Sequence, residues 1–353
     1  MGTVERGVGL NQKAPISAVF GGYRSDYKVD DMKIEDIQYT LPTEQISAED
    51  FDREKWLQEN PIDYFKFLYI LFTSNRLAPS VPSEIVMKIA FDALYKVTRL
   101  YIPETLYKYY SLTSDEELNK KKFDTLRNKQ IYMSAIKDFN DSFDGKAFFY
   151  NPKDLKGNQR LAPPDGKFVD DFTVFNRGTA LTENGTSCMP MWAHYANNHQ
   201  GFCIAYDMEK PNNLALSACT FPVQYTNQRL DVTSYMKKFA SMLSSEIDKQ
   251  TAQRRKEIVI SDLSLVYLAQ YLCNIKLSSW QYEKEFRCTM GAKAKGMPFV
   301  DANPKAIYIG MNCSENNRQK LIEIAKKLST PIYQMNFDEL SDDYSLTSEL
   351  LDP

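Results

Sequence analysis

The 353-residue sequence contains only two histidines, His194 and His199, and its six cysteines are scattered without a CxxC pair. Zinc-finger and thiol redox motifs need paired cysteines at short spacing, so neither motif is present. The histidines lie five residues apart, whereas the zincin motif needs four with a glutamate between them. On a helix, five residues turn the chain by roughly 500°, so these two side chains do not share a face. We therefore predict no metal site.

The sequence also lacks an excess of charge and a long apolar run. Its net charge of -3 provides no general attraction to nucleic acid or to an anionic membrane. The longest apolar run, residues 64–73, is interrupted by Lys66 and is too short to span a bilayer. No basic and apolar signal sequence opens the chain. We therefore expect a cytoplasmic protein with reduced thiols and no membrane association.

Composition and periodicity divide the chain into four parts. The predicted parts are an extended or poorly ordered leader at 1–55, a helical preface at 56–103, a core domain at 104–337 and an acidic tail at 338–353. Self-association, or binding of a protein partner, is expected to use the N-terminal helices.

The core region alternates short strand patterns with helical ones. The predicted strands include "LYKYYSL", "IYMSAI", "FCIAYD", "FPVQYT", "EKEFRCTM", "AIYIGM" and "PIYQMNF". Helices are predicted for "SDEELNKKKFDTLRNKQ", with Ser114 and Glu117 at capping-box spacing, and for "SENNRQKLIEIAKKL". Short strands with inserted helices indicate an α+β fold with mixed or antiparallel sheets rather than a regular βαβ fold.

The stretch "MWAHYANNHQGFCIAYD" holds both histidines at a junction between a helical turn and a strand. Trp192 and Tyr195 accompany His194 and His199 there. Such junctions often carry function, because loops on a rigid scaffold position reactive groups. The alternative is structural: His194 packs beside the two aromatic rings, and His199 lies in a solvated turn.

A second group of ionisable residues occurs in "WQYEKEFR". In a strand, Glu283, Glu285 and Arg287 would point to one face, because side chains alternate. Such a carboxylate pair can bind ribose hydroxyls or stabilise a cationic transition state. The alternative is an ion pair between Arg287 and either glutamate on a solvated edge strand.

A third group, in "SAIKDFNDSFDG", contains Asp138, Asn140, Asp141 and Asp144. These oxygens are suitable ligands for a divalent cation, but the calcium-loop spacing of glycine and distal glutamate is absent. Hydrogen-bonded turns formed by Asp and Asn side chains explain the composition adequately, and we favour that interpretation.

Five blocks of the sequence together resemble a bacterial family known as domain of unknown function 2971. In chain order they are "LYKYYSL", "IYMSAIKDFNDSFDG", "MWAHYANNHQGFCIAYD", "WQYEKEFRC" and "AIYIGM", within about residues 104–335. The family often carries an arginine where this chain has Tyr110, so Lys108 would have to supply the cation. The family name implies no activity.

A second resemblance suggests a mechanism. "LYKYYS", "MWAHYANNH" and "YEKEF" are similar, in order, to the cationic strand, the polar middle strand and the Glu-x-Glu strand of ADP-ribosyltransferases. That resemblance implies that NAD binds in a groove between small sheets. Glu285 would be the catalytic residue that polarises the ribose or activates the acceptor, and Glu283 would orient the acceptor.

The resemblance also implies roles for further residues. His194 or Lys108 would hold the ribose or pyrophosphate of NAD, and Tyr195 or Tyr109 would stack on nicotinamide. His194 is additionally a catalytic candidate. Asn140, Trp192 and His199 complete the set of candidate cofactor-binding residues.

We therefore expect an enzyme resembling an NAD-dependent ADP-ribosyltransferase, with a protein or nucleic acid as acceptor, acting as a bacterial toxin or phage-defence effector. The alternatives are a non-catalytic module of a defence system and a metal-dependent nuclease that uses the Asp-rich loop and His194 with magnesium. An open cleft shared by Glu285 and His194 would favour the enzyme, whereas Glu285 capped by Arg287 in a closed core would favour the module. For an enzyme, Glu285→Gln is expected to abolish NAD turnover with little change in melting temperature.

Overall fold

A computed structural model describes residues 52–65, 94–155, 176–254, 271–291 and 298–351. Most of the predicted leader and helical preface lies outside these residues. The chain divides into two compact units, and the second unit contains residues 102–147, 176–228, 273–291 and 298–351 of those described. The first unit contains residues 52–65, 94–101, 148–155, 229–254 and 271–272 of those described.

Helices are short in both units, apart from two of fourteen and twenty residues. The α-helices are α1 (Arg53–Glu59), α2 (Glu116–Arg127), α3 (Met189–Tyr195), α4 (Leu214–Ala218), α5 (Thr233–Ala252) and α6 (Glu315–Leu328). Residues 94–101 are also helical. Short 3₁₀ helices occupy Ile136–Asp138, Pro152–Leu155, Pro211–Asn213 and Ser278–Glu283.

The strands are two to seven residues long. They are β1 (Thr105–Tyr110), β2 (Gln130–Tyr132), β3 (Ser134–Ala135), β4 (Phe148–Phe149), β5 (Asn176–Thr182), β6 (Phe202–Asp207), β7 (Thr220–Pro222), β8 (Gln224–Thr226), β9 (Leu230–Asp231), β10 (Ile275–Leu277), β11 (Glu285–Gly291), β12 (Phe299–Asp301), β13 (Pro304–Ile309), β14 (Ile332–Phe337) and β15 (Leu346–Leu351).

Nine strands of the second unit form one sheet in the order β15-β14-β13-β6-β1-β5-β11-β7, with β3 also paired to β5. Its neighbouring strands are antiparallel except β13 and β14, which are parallel and joined through α6. Two-stranded ladders join β8 to β10, β2 to β12 and, in the first unit, β4 to β9. The predicted α+β class with mixed and antiparallel sheets is confirmed.

The centre of the sheet is β6, whose six residues are all buried. Because both faces of this strand are covered, its sequence "FCIAYD" is almost continuously apolar rather than alternating. On one face, Phe202 stacks on Tyr110 and on Phe123 of α2. On the other face, Cys203 belongs to a core cluster built around Trp192 of α3.

Side-chain caps set the starts of two predicted helices. Ser314 accepts the N–H of Asn317 and begins α6, as its sequence predicts. For α2, the predicted cap Ser114 is wrong by one residue, because the carboxylate of Asp115 accepts the N–H of Leu118. Aspartate and serine cap helices about equally well, so Asp115 is as suitable a cap residue as the adjacent Ser114.

The large sheet is nearly divided in two between β1 and β5. β1 pairs with β6 at six positions but with β5 at a single one, Tyr107 opposite Thr182. One half-sheet is therefore β15-β14-β13-β6-β1, and the other is β5-β11-β7 with β3. The two halves meet at this pair and diverge beside it, which leaves room for side chains between them.

The predicted acidic tail contains an ordered strand. β15 pairs with β14 at all six of its positions and forms one edge of the sheet. The acidic residues Asp338, Asp342 and Asp343 lie in the turn that precedes it.

Close packing of backbone at Gly201 generates the first prediction. A Cβ atom there would lie 1.9 Å from the carbonyl oxygen of Tyr110 and 3.1 Å from that of Ala196. Backbone cannot move aside cheaply, so Gly201→Ala should destabilise the fold by about 2–3 kcal/mol. Gly185→Ala is the control: its φ is +66° but the nearest atoms are 3.9 Å away, so we expect only about 1 kcal/mol. Equal losses in urea unfolding would contradict this account.

Candidate functional site

A cavity of about 70 Å³ lies where the two half-sheets diverge. β1 contributes Tyr107, Lys108 and Tyr109 to its wall, and β5 contributes residues 180–182. The remaining lining residues are Phe139, Asn140, Met191, Tyr195, Lys276, Glu283 and Glu285. The cavity therefore combines aromatic walls with two lysines and two carboxylates.

Glu283 and Glu285 converge in this cavity through a shared lysine. The Nζ of Lys276 donates to Glu283 Oε2 at 2.6 Å and to Glu285 Oε2 at 2.8 Å. The expectation that both glutamates lie on one strand is wrong for Glu283, which ends a 3₁₀ turn. Between them Lys284 adopts a left-handed conformation with φ 44°, and this residue redirects the chain before β11 begins.

Arg287 holds the other side of the Glu285 carboxylate. Its Nε donates to Glu285 Oε1 at 2.6 Å, its Nη1 to the Cys273 carbonyl at 2.6 Å, and its Nη2 to Asp144 Oδ1 at 2.6 Å. The side chains of Arg287, Glu285 and Asp144 are at most 3% exposed. The ion pair considered from the sequence is thus present, but it is buried, because β11 lies between β5 and β7 rather than at an edge.

The pKa values of Glu283 and Glu285 are shifted in opposite directions. Burial raises the pKa of Glu285, but the charges of Arg287 and Lys276 outweigh it and lower that pKa to about 2. The pKa of Glu283 is raised, first by burial and then by the negative charge of Glu285, despite the bonds from Lys276. One carboxylate is thereby held as an anion while its neighbour is the better proton acceptor.

Tyr195 and Asn140 extend the network from Glu283. The Tyr195 hydroxyl donates to Glu283 Oε1, and Asn140 Nδ2 donates to the Tyr195 oxygen at 3.0 Å. Burial and the bond to Glu283 raise the pKa of Tyr195, so this phenol stays protonated. Both residues were predicted site residues, and the structure brings them together with the carboxylates.

Lys108 connects β1 of one half-sheet to β5 of the other at the point where the half-sheets diverge. Its Nζ donates to the carbonyl oxygen of Ala180 on β5 at 3.2 Å and lies 5.3 Å from the centroid of the Tyr110 ring. Burial lowers the pKa of Lys108 to about 8, although the negative charge of Glu285 opposes this shift. A cation is therefore present beside the ring of Tyr110.

Three predicted site residues do not line the cavity. Trp192 is fully buried in the core, and its Nε1 donates to the Thr186 carbonyl at 2.8 Å. His199 is 8% exposed and stacks on Trp192 with ring centroids 5.5 Å apart, so the alternative that it lies in a solvated turn is also wrong. Burial lowers the pKa of His199.

His194 is exposed and does not share a cavity with Glu285. It directly precedes Tyr195 on α3, and successive helical residues point about 100° apart. Because Tyr195 points to Glu283, His194 is turned out of the cavity. The expectation of a common pocket for His194 and Glu285 is therefore corrected, with Tyr195 in the place proposed for the histidine.

Lys276 and Asp144 are the functional residues whose roles the sequence did not reveal. Lys276 lies in the short strand β10 between the apolar residues Ile275 and Leu277, and a lysine in such an apolar run is a signal for a buried partner. In the Asp-rich loop, Asp141 Oδ1 accepts the N–H of Phe143, as expected for a turn. Asp144, three residues later, instead reaches Arg287.

No group of three or more His, Cys, Asp or Glu side chains suited to a metal ion occurs among the residues that the structure describes. Within the same residues, no helix has the length and hydropathy needed to cross a membrane.

Residues 191–288 match the model of a family described as "Protein of unknown function (DUF2971)". The chain is therefore similar to this family over that stretch. The match confirms the resemblance over the part that carries α3, both glutamates and Arg287. No curated protein and no solved structure matches the chain.

The buried network predicts a large cost for removing Arg287. Arg287→Met would leave Glu285 and Asp144 charged and buried without their main partner, which should cost about 3–5 kcal/mol of folding free energy. The matched control is Arg127→Met, since Arg127 pairs with Asp124 at 2.6 Å but both side chains are at least 40% exposed. We expect that control to cost about 0.5 kcal/mol. Similar costs for the two variants in urea unfolding would contradict a stabilising role for the network.

The lowered pKa of Glu285 predicts how stability depends on pH. Its pKa falls from an ordinary 4.5 to about 2 on folding, so ionised Glu285 stabilises the fold above about pH 4.5. That contribution is lost as the pH falls toward about 2. The stability gap between wild type and Glu285→Gln should therefore narrow across this window, measured by unfolding at each pH. A gap that widens in acid would overturn the assignment. The network also changes the expectation for Glu285→Gln, which should now lower the melting temperature.

Proposed function

We propose that the cavity between the half-sheets is the active site of an NAD-dependent enzyme that transfers ADP-ribose to an acceptor. The observation that carries the proposal is the pair of carboxylates with opposite pKa shifts where the two half-sheets of the large sheet diverge. Six of the nine predicted site residues line this one cavity: Lys108, Tyr109, Asn140, Tyr195, Glu283 and Glu285. A groove of this kind is what the resemblance to ADP-ribosyltransferases implies.

In this reaction the bond between the ribosyl carbon and the nicotinamide nitrogen breaks, and positive charge develops on the ribose. Glu285, with a pKa of about 2, is ionised at every physiological pH and supplies a fixed negative charge. Arg287 and Lys276 hold its carboxylate in place, so no reorientation is needed as the charge develops. Such preorganised stabilisation is worth about 3 kcal/mol, or two orders of magnitude in rate.

Glu283 serves as the base in this scheme. As the acceptor oxygen or nitrogen bonds to the ribosyl carbon, it must lose a proton, and nicotinamide leaves with the electron pair of the broken bond. Because its pKa is raised, Glu283 binds that proton more strongly than an ordinary carboxylate does. The Tyr195 hydroxyl holds its other oxygen and fixes its orientation.

The size of the cavity limits which part of NAD it receives. A volume of about 70 Å³ is well below the roughly 300–1,000 Å³ of pockets that enclose drug-sized ligands. We therefore place only the nicotinamide end between Phe139, Tyr109 and Tyr195, where the ring stacks on aromatic side chains.

Two observations favour the second candidate, a non-catalytic binding module: Arg287 caps Glu285 in the core, and His194 lies outside the cavity that contains Glu285. Glu285 is only 3% exposed on its side chain, and both its oxygens are already bonded by Arg287 and Lys276. Such a network stabilises a fold without any ligand. The nuclease alternative has no comparable support, since Asp144 is paired with Arg287 and His194 lies outside the cavity. A role as a toxin or phage-defence effector stays a prediction, as does the choice of protein or nucleic acid as acceptor.

The decisive experiment uses Glu283→Gln. Glutamine keeps acceptor and donor groups for Lys276 and Tyr195 but cannot take a proton, so nicotinamide release from NAD should fall by about 100-fold. Chromatography of the reaction measures release, and a thermal melt checks that the variant remains folded. Wild-type kcat/KM should rise with pH through a pKa above 4.5, and Glu283→Gln should lack that rise.

Glu323→Gln, on an exposed position of α6, is the matched control and should retain wild-type activity. A wild-type protein that neither releases nicotinamide nor binds NAD in calorimetry would refute the enzyme and favour the module. Full activity of a folded Glu283→Gln variant would remove Glu283 from the mechanism.

A further inference from the structure

The two edges of the large sheet are built differently. β7, at one edge, is three residues long and ends in Pro222, and a short strand with proline is a common protection against pairing with another chain. β15, at the other edge, is six residues long, pairs with β14 without a shift in register, and contains neither proline nor lysine. Within the part of the chain that the structure describes, no strand pairs with its outer side.

Exposed apolar side chains cluster around this open edge. Phe337 is 46% exposed, Leu340 96%, Tyr344 88% and Leu350 57%, all within or beside β15. The four middle residues of β15 are exposed, so packing within its own chain buries little of this strand. A concentration of exposed apolar groups on a strand with free backbone donors and acceptors marks a protein contact surface.

We propose that β15 pairs antiparallel with β15 of a second copy of this chain, so that one sheet continues across a two-fold dimer. A closed two-fold dimer uses the same strand from both copies and leaves no open edge at the junction. This proposal is independent of the enzymatic one, because β15 contributes no residue to the cavity.

Symmetry restricts the register of such a pair. A two-fold axis perpendicular to the sheet keeps every side chain on its own face, and directly opposite residues share a face. One residue must therefore lie opposite itself. With Ser348 at the axis, Leu346 faces Leu350 of the second copy, and Thr347 faces Glu349 of the second copy. With Glu349 at the axis, two carboxylates would oppose each other, which is unfavourable.

The register centred on Ser348 also continues an existing aromatic row. Tyr308 stacks on Tyr333 with centroids 5.0 Å apart, and Tyr333 lies opposite Leu350 on β15. The row ends at Leu350, which is more than half exposed. In the dimer, Leu346 of the second copy covers Leu350 and extends this row, while Leu346 already packs against the core cluster of its own chain.

The oligomeric state tests the contact. In sedimentation equilibrium over a concentration series, the full-length wild type should be dimeric and Leu350→Lys monomeric, because charge replaces the apolar pair at both symmetric positions. Leu118→Lys is the control, since Leu118 is 42% exposed on α2 and should leave the dimer intact. A monomeric wild type, or a Leu350→Lys variant that remains dimeric, would overturn the proposal.

A disulfide test checks the register. Residues opposite each other in an antiparallel pair have Cβ atoms about 4.5–5.5 Å apart, so Ser348→Cys should form an intermolecular disulfide on mild oxidation. Glu349→Cys should not, because it faces Thr347 of the second copy. Oxidised wild type gives the background from the native cysteines, which are thiols in the structure. Cross-linking of Glu349→Cys but not Ser348→Cys would contradict the proposed pairing.

Discussion

A single buried guanidinium organises the second unit. Arg287 connects β11 to the Asp-rich loop through Asp144, to the segment before β10 through the Cys273 carbonyl, and to Glu285 on its own strand. Burying a charge is costly unless its donors are satisfied in good geometry. The planar fork of arginine meets three separate acceptors at once, which a lysine ammonium could not do with the same fixed directions. The position of the loop wall of the cavity therefore depends on this residue.

The same arrangement separates the two glutamates chemically. Glu285 lies two residues from Arg287 on one strand face and receives both cations. Glu283 precedes the left-handed Lys284, lies outside the strand, and is bonded by Lys276 and Tyr195 instead. A regular strand from 283 onward would have given both carboxylates more similar surroundings. The local backbone irregularity thus gives the two carboxylates different partners, and the pKa of Glu285 is lowered while that of Glu283 is raised.

Local sequence was sufficient for much of the architecture but for only part of the site. The apolar run of β6 and the alternating pattern of β11 predicted strands, and most candidate residues on or beside those blocks do meet in one cavity. The outward direction of His194 was not predictable, because the sequence of a single helical turn does not determine which of its sides faces the rest of the protein. The left-handed Lys284 carries no local signal, since it is neither glycine nor asparagine. Asp144 and Lys276 acquire their roles only through partners distant in sequence.

The charges around the cavity are consistent with the reaction that we propose. Lys108, Lys276 and Arg287 oppose Asp144, Glu283 and Glu285, so the fully ionised group is neutral. In transfer from NAD, one positive charge moves from the nicotinamide ring to the ribose and then, as a proton, to Glu283. The total charge of the site stays constant, and the positive charge moves by only a few bonds. In the proposed reaction, a single fixed anion, Glu285, would stabilise every stage, and the two cations bonded to it keep that carboxylate ionised.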